Sequence, residues 1–187
     1  MKLEPGRVYR TREFSAWSAN APRLARRLVE EGQLTQLAHG LFACPRHGRF
    51  GAVPPTEHEL MRSFLDGSPF VFTGPERWNA LGLGTTAVHA LPLVYNTRRS
   101  GLFKLGNRTF RLRRVAFPQP TPAEWFVVDL FEHASEAASS VTDLAAALTR
   151  KLRGGAFDPE TLGMMARQFG TRTTNALITD AIASSGR

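Results

Sequence analysis

Cysteine is nearly absent from this chain of 187 residues, since Cys44 is the only one. A single cysteine excludes an internal disulfide framework and favours a reducing compartment. The chain also has no apolar run of membrane-spanning length, and its first residues, MKLEPGR, lack the apolar core of a signal peptide. We therefore expect a cytoplasmic protein with no membrane partner.

The short motifs of common catalytic sites are missing as well. There is no Gly-x-Ser-x-Gly elbow, no Gly-Lys-Ser/Thr phosphate loop and no His-Glu-x-x-His. The five aspartates are scattered, so a nuclease that uses Asp129 or Asp143 is only a distant alternative. His133 is interpreted as a surface residue at a helix end. We expect no catalytic residues, no cofactor and no enzymatic activity.

A metal site has little support. Cys44 and His47 have knuckle-like spacing, and His39 lies nearby. A structural zinc site normally needs four ligands in two close pairs, and the second pair is missing. No bound metal is therefore expected.

Lysine is also scarce, because only three of the 24 basic residues are lysines. The formal net charge is +8, and it is concentrated in two segments: residues 1–50 carry a net +5 and residues 96–118 carry +7 with no acidic residue. Arginine offers a planar set of donors that matches phosphate and guanine edges. Nucleic acid is thus a candidate partner, and its contacts should be local.

The segment from Thr11 to Pro45 predicts two short helices and a tight hairpin. Thr11 is a candidate N-cap for the first helix, and Asn20 is one for the second. The second helix has an apolar stripe at i, i+3, i+4 and i+7, and Gly32 follows its end. Two short apolar strands then flank His39-Gly40, a hairpin signal. This order is typical of a winged helix-turn-helix.

The remaining residues predict a mixed α/β arrangement. Residues 45–55, rich in proline and glycine, are interpreted as a linker, and a helix is predicted over residues 56–65. Short strands are expected near residues 68–73, 91–97, 101–105 and 108–115, and four helices between residues 123 and 183. The predicted fold class is α/β (α+β), with a winged helix-turn-helix domain over residues 1–48 and a mixed domain with C-terminal helices over residues 49–187.

Seven residues are candidates for DNA contact. In a winged helix-turn-helix the second helix enters the major groove, where its N-terminal residues lie nearest the bases. The alternative for this helix is an ordinary solvated face. The candidates come from this helix, the predicted wing and their flanks: Asn20, Arg23, Arg26, Arg27, His39, Arg12 and Arg46.

A second basic surface is predicted around the strand that follows Gly106-Asn107. It could contact a nucleic-acid backbone, or it could be a solvated sheet face whose charges discourage edge pairing. RNA or an acidic protein partner would also suit it, and this is the alternative function. Its residues are Arg98, Arg99, Lys104, Arg108, Arg111 and Arg113.

Two segments resemble one family. RLARRLVEEGQLTQLAHGLFACP, residues 23–45, is similar to the recognition helix and wing of the AbiEi-type antitoxin regulators. FVFTGPERWNALGLGTTAVHALPLVYNTRRSGLFKLGNRTFRLRRV, residues 70–115, is similar to that family's next domain. The resemblance spans residues 7 to 118. This chain departs from it at His39, since family members often carry arginine before the glycine; Arg46 or Arg49 could take over the wing contact.

The resemblance implies a specific role. Such proteins are antitoxins of type IV toxin–antitoxin pairs, encoded beside a nucleotidyltransferase toxin. Their winged domain binds inverted repeats in its own promoter and represses transcription, and direct contact with the toxin is not assumed. It implies DNA contacts at Arg23, Arg26 and Arg27, with a wing around His39. The operator, the oligomeric state and the toxin are left open.

Overall fold

The computed structural model describes residues 2–49, 51–86, 88 and 91–186, and it confirms an α/β (α+β) fold. The chain forms two compact units, each built from two stretches of sequence. The first unit comprises Met1–Phe70 and Asn96–Leu112, and the second comprises Val71–Tyr95 and Arg113–Arg187. Residues distant in sequence therefore share a unit.

The first unit begins with a small antiparallel sheet and two helices. Strand β1 (Val8–Arg10) leads into a 3-10 helix (Thr11–Ala16) and then helix α1 (Ala21–Glu30). Strands β2 (Thr35–Ala38) and β3 (Leu41–Ala43) follow, and the sheet order is β1–β3–β2. The predicted N-cap at Thr11 is wrong by one residue: Arg10 is the N-cap, and its N–H donates to the Glu13 carboxylate at 2.7 Å.

Helix α1 forms where the sequence predicted it. The Asn20 side chain accepts a hydrogen bond from the Arg23 N–H at 3.1 Å, which satisfies a backbone donor that the helix itself cannot pair. The apolar stripe of α1 is buried against the aromatic residues of β1, the 3-10 helix and β3. Burial of that stripe leaves the arginines on the opposite face.

A second hairpin corrects the prediction of a linker over residues 45–55. Strands β4 (Arg46–Gly48) and β5 (Gly51–Val53) pair antiparallel, with Arg46 opposite Val53. Both strands are exposed on every residue, so no alternation of apolar and polar side chains marked them in the sequence. Helix α2 (Glu57–Phe64), capped by Thr56, then packs against β1.

The first unit is completed by a hairpin from much later in the chain. Strand β8 (Gly101–Leu105) pairs with β9 (Arg108–Arg114) in an antiparallel register that places Phe103 opposite Phe110. Side chains alternate across the two faces of such a pair. As predicted, Phe110 and Leu112 are buried and Arg111 is exposed.

The second unit is mainly helical. Its neighbouring strands β6 (Phe70–Thr73) and β7 (Leu93–Asn96) flank helix α3 (Pro75–Ala80). Four helices follow and pack on one another: α4 (Ala123–Glu132), α5 (Val141–Arg153), α6 (Pro159–Phe169) and α7 (Arg172–Ser185). Asp158 caps α6 through the Thr161 N–H at 2.7 Å, as predicted. The hydrogen bonds to the Asp158 carboxylate, chiefly from Thr161, lower its pKa.

The compact units divide the chain differently from the predicted boundary at residue 48. Residues 49–70 and 96–112 belong with the first 48 residues, because α2 packs on β1 and β8 contacts β2. Independent folding of residues 1–48 stays a prediction. Among the helices of the described residues, none combines the length and apolar character that a membrane crossing requires.

Candidate nucleic-acid interface

The exposed face of α1 presents the predicted arginines to solvent. Arg23, Arg26 and Arg27 are all exposed, whereas the leucines at positions 24 and 28 are buried. The Arg27 Nε lies 3.6 Å from the Glu31 carboxylate, an exposed pair one helical turn apart. Such a pair is worth little in water, so Arg27 can exchange this partner for a phosphate at small cost.

A depression of about 500 Å³ lies beside this face. Trp17, in the turn before α1, is 41% exposed, and its ring lies 6.0 Å from that of the buried Phe14. Trp17 therefore rests on the core while part of its ring faces solvent. The depression is lined by the turn and the outer face of α1: Trp17, Ser18, Asn20, Arg23, Leu24, Arg26, Arg27 and Glu30.

The β2–β3 hairpin turns at His39 and Gly40, as predicted. Gly40 has φ +71°, a left-handed conformation that favours glycine, and its carbonyl accepts a hydrogen bond from the Thr11 N–H at 3.0 Å. This bond ties the turn to the start of the 3-10 helix. The His39 side chain lies on the surface at this turn, where a ligand could reach it.

Arg12 is not a free cation, because it pairs with Asp66. The Arg12 guanidinium is hydrogen-bonded to both carboxylate oxygens of Asp66, and the Arg10 and Arg98 guanidinium groups lie 3.8 and 3.4 Å from the same carboxylate. Three arginines thus share one aspartate. Arg46, in β4, is exposed.

The six residues of the predicted second basic surface have different surroundings. Arg98 pairs with Asp66, Arg108 lies 3.4 Å from Glu57, and the Arg99 guanidinium stacks 4.8 Å above the Phe64 ring. All three of these partners lie in or just after α2. Lys104 and Arg111 are exposed on the first unit.

Arg113 lies in the second unit and contacts a polar cluster there that the sequence did not reveal. Its Nη1 lies 2.8 Å from Nε2 of His133, whose Nδ1 lies 2.8 Å from the backbone oxygen of Asp129. His133 lies at the end of α4, as predicted, but it is half-buried and bound into this cluster rather than fully on the surface. The buried Asp129 carboxylate accepts hydrogen bonds from Trp78 Nε1, at 2.9 Å, and from the Thr73 hydroxyl. Thr73 and Asp129 are 56 residues apart, so no local pattern in the sequence predicts their contact.

Positive charge is divided unequally between the units. The sequence ranges of the first unit contain 15 basic and seven acidic residues, whereas those of the second contain nine of each. The whole formal charge of +8 therefore belongs to the unit that carries α1 and the β8–β9 hairpin. Concentrated charge of this kind is the electrostatic footprint that nucleic-acid contact requires.

Cys44 and the histidines near it do not form a ligand cluster. Burial raises the pKa of the Cys44 thiol, which keeps it protonated. Over the described residues, no group of three His, Cys, Asp or Glu side chains is placed to hold a metal ion.

Comparison with known proteins yields a fold relationship. No protein-family model and no curated protein matches this chain. Among solved structures, the RV2827C protein from Mycobacterium tuberculosis is similar, with a TM-score of 0.57 and 14% sequence identity. The match covers 97% of this chain and 73% of that one. At this identity, the similarity shows a shared fold and no shared activity.

Proposed function

We propose that residues 1–48, which belong to the first unit, form a winged helix-turn-helix that binds double-stranded DNA, with α1 in the major groove. The observation that carries this proposal is the location of the full net charge on the unit whose α1 presents three exposed arginines. The order of elements along the chain supports it, since the β2–β3 hairpin directly follows the 3-10 helix and α1.

The residues of this interface have different tasks. Asn20, Arg23 and Arg26 stand at the N-terminal part of α1, where a recognition helix approaches base edges. Arginine can donate two hydrogen bonds to guanine, and it can also bind phosphate. Arg27, His39 and Arg46 are suited to the sugar-phosphate backbone, whose contacts position a protein without reading sequence.

We further propose that the protein represses its own promoter as the antitoxin of a type IV toxin–antitoxin pair. This part rests on the resemblance of residues 23–45 and 70–115 to the AbiEi-type regulators. Its functional partner is a nucleotidyltransferase toxin, and the protein itself is not an enzyme. A nucleotidyltransferase gene beside this one, whose toxicity this protein relieves, is the expected finding; co-expression that leaves such toxicity unchanged would remove the antitoxin role.

Charge reversal on α1 tests DNA binding. We expect Arg23→Glu with Arg26→Glu to abolish retardation of the DNA fragment upstream of the gene, because two cations that face the duplex become anions. The circular dichroism spectrum should not change, since both side chains are exposed. Retardation equal to that of the wild type would contradict the proposal.

A matched control has the same charge change in the second unit. Arg150→Glu with Lys151→Glu alters two residues in the last turn of α5, outside its buried apolar stripe. This variant should retard the fragment nearly as well as the wild type. An equal reduction of binding in both variants would show that net charge alone, and not the face of α1, governs binding.

A further inference from the structure

The β8–β9 hairpin has no role in the proposed recognition by α1, yet its residues up to Leu112 belong to the same compact unit as α1. Its turn is held against β2, one strand of the proposed wing. The Gly106 N–H donates to the Leu37 carbonyl at 2.7 Å, and a Cβ on Gly106 would stand 3.2 Å from Leu37 Cδ2. Glycine with φ +63° allows this close approach. The hairpin turn therefore lies directly beside the β2–β3 hairpin.

The inner face of the hairpin is anchored to α2. The rings of Phe103 and Phe64 are 5.0 Å apart, and Arg108 reaches Glu57. Residues directly opposite in an antiparallel pair share a face, so the register places Phe103, Phe110 and Arg108 on this inner side. The hairpin is thus fixed at its turn and along one face.

The outer face carries positive charge without acidic residues. The register pairs Leu102 with Arg111 and Lys104 with Thr109, which places all four on the outer side. Lys104 and Arg111 are exposed, and residues 96–118 contain no aspartate or glutamate. A face of one sign repels other cations and attracts a polyanion.

We infer that the β8–β9 hairpin is a second wing, whose Lys104 and Arg111 bind the sugar-phosphate backbone of the same DNA duplex. The inference rests on the proposed function of α1. Two observations select duplex DNA over an acidic protein: the hairpin turn is attached to β2 beside the first wing, and of the four outer residues Leu102 alone is apolar. Phosphate contact needs charge and little apolar area, and it carries no sequence preference.

The test measures how binding of a fluorescent random-sequence DNA duplex varies with salt. Each phosphate contact releases counterions, so the slope of log K against log salt becomes shallower by about 0.9 for each phosphate that the protein no longer neutralises. Lys104→Gln with Arg111→Gln should reduce the slope by about 1.8. The control Arg150→Gln with Lys151→Gln removes the same charges from α5 and should leave the slope unchanged. Thermal melts would verify that both variants fold.

The outcomes separate the two proposals. A reduced slope in the hairpin variant alone supports the second wing. An unchanged slope, with binding still abolished by the Arg23→Glu and Arg26→Glu pair, overturns the second wing and leaves the proposed function standing. No DNA binding by the wild type overturns both. Tighter binding to an RNA duplex of matching sequence, abolished in the hairpin variant, would assign the face to RNA and overturn the inference.

Discussion

Asp66 shows how a single residue organises charge in the first unit. Its φ of +60° is unusual for a residue other than glycine, and its carboxylate holds Arg12, with Arg10 and Arg98 close by. Desolvation acts to raise the pKa of Asp66, but the hydrogen bond and charge of Arg12, with Arg10 and Arg98, outweigh it and lower the pKa below 3.8. The carboxylate is charged in the folded protein even at moderately acidic pH.

Asp66→Asn gives a pH-dependent prediction. A lowered pKa in the folded state contributes stability above the ordinary aspartate pKa, and this contribution is lost as the pH falls through the lowered value. The wild type should therefore melt at a higher temperature than the variant at pH 7, with the difference shrinking as the pH falls below about 4, the unperturbed value. Asparagine tolerates the left-handed φ, so the variant adds little strain.

The control for this measurement is Asp180→Asn, on the exposed side of α7. At about pH 7 it should melt like the wild type, which would show that loss of an exposed carboxylate alone does not lower the melting temperature. A difference for Asp66→Asn that stays constant from about pH 7 to about pH 3, across the unperturbed aspartate pKa, would mean that its ion pairs do not contribute to stability.

In the second unit, Asp129 is the aspartate whose carboxylate accepts hydrogen bonds from several side chains, and it is buried. Asp129→Ala would leave Trp78 Nε1 and the Thr73 hydroxyl without their acceptor, and His133 would lose its neighbouring carboxylate. Loss of one partner in such a buried network costs about 3 kcal/mol. We expect a melting temperature lower by roughly 6–12 °C, read from the helical circular dichroism signal.

Asp143→Ala is the matched change at an exposed aspartate, in the first turn of α5. It should cost much less than Asp129→Ala. The two variants also test the nuclease alternative. If the wild type cleaves DNA in the presence of Mg²⁺, and either variant loses this cleavage while it stays folded, then the prediction that the protein is not an enzyme is wrong.

At the scale of one element, Asn20 serves helix α1 in two separable ways. As the N-cap, its side chain accepts from the Arg23 N–H, and as an exposed residue it belongs to the proposed DNA-binding face. Asn20→Ala should cost about 1 kcal/mol of stability. Asn20→Asp keeps the cap and favours the helix dipole, but it adds a negative charge beside the duplex.

For Asn20→Asp, the measurement of stability and the measurement of DNA binding should give different results. Asn20→Asp should unfold like the wild type in denaturant titrations and yet bind the upstream DNA fragment more weakly. If Asn20→Asp binds as tightly as the wild type, then the N-terminus of α1 does not approach DNA, and the proposed orientation of the helix is incorrect.

At the scale of the whole molecule, the unequal charge of the units predicts the salt dependence of binding. The cations proposed to contact the backbone are Arg27, Arg46, Lys104 and Arg111, and four such contacts would give a slope of about −3.6 for log K against log salt. Raising the salt from about 50 to about 200 mM should then weaken binding about 150-fold. A slope near zero in a titration of the wild-type protein would exclude the proposed contacts with the DNA backbone.

The sequence was sufficient for the features that depend on neighbouring residues. Asn20 and Asp158 were predicted as caps, and the apolar stripe of α1 implied which face would be buried, because capping and periodicity act within one or two turns. The His39-Gly40 turn was predictable for the same reason. The exposed β4–β5 hairpin was missed, since it has no alternating pattern.

Only the tertiary structure decided which distant residues pair with the arginines and which basic side chains face outward together. Arg12 and Asp66 are 54 residues apart, and the Thr73 and Asp129 side chains meet across 56 residues. Gly106 contacts Leu37 in the same way. Such contacts depend on how distant segments pack, and no local pattern encodes them. By itself the sequence therefore indicated an arginine-bearing helix and hairpin, while the tertiary structure placed the later β8–β9 hairpin beside them, with Lys104 and Arg111 exposed.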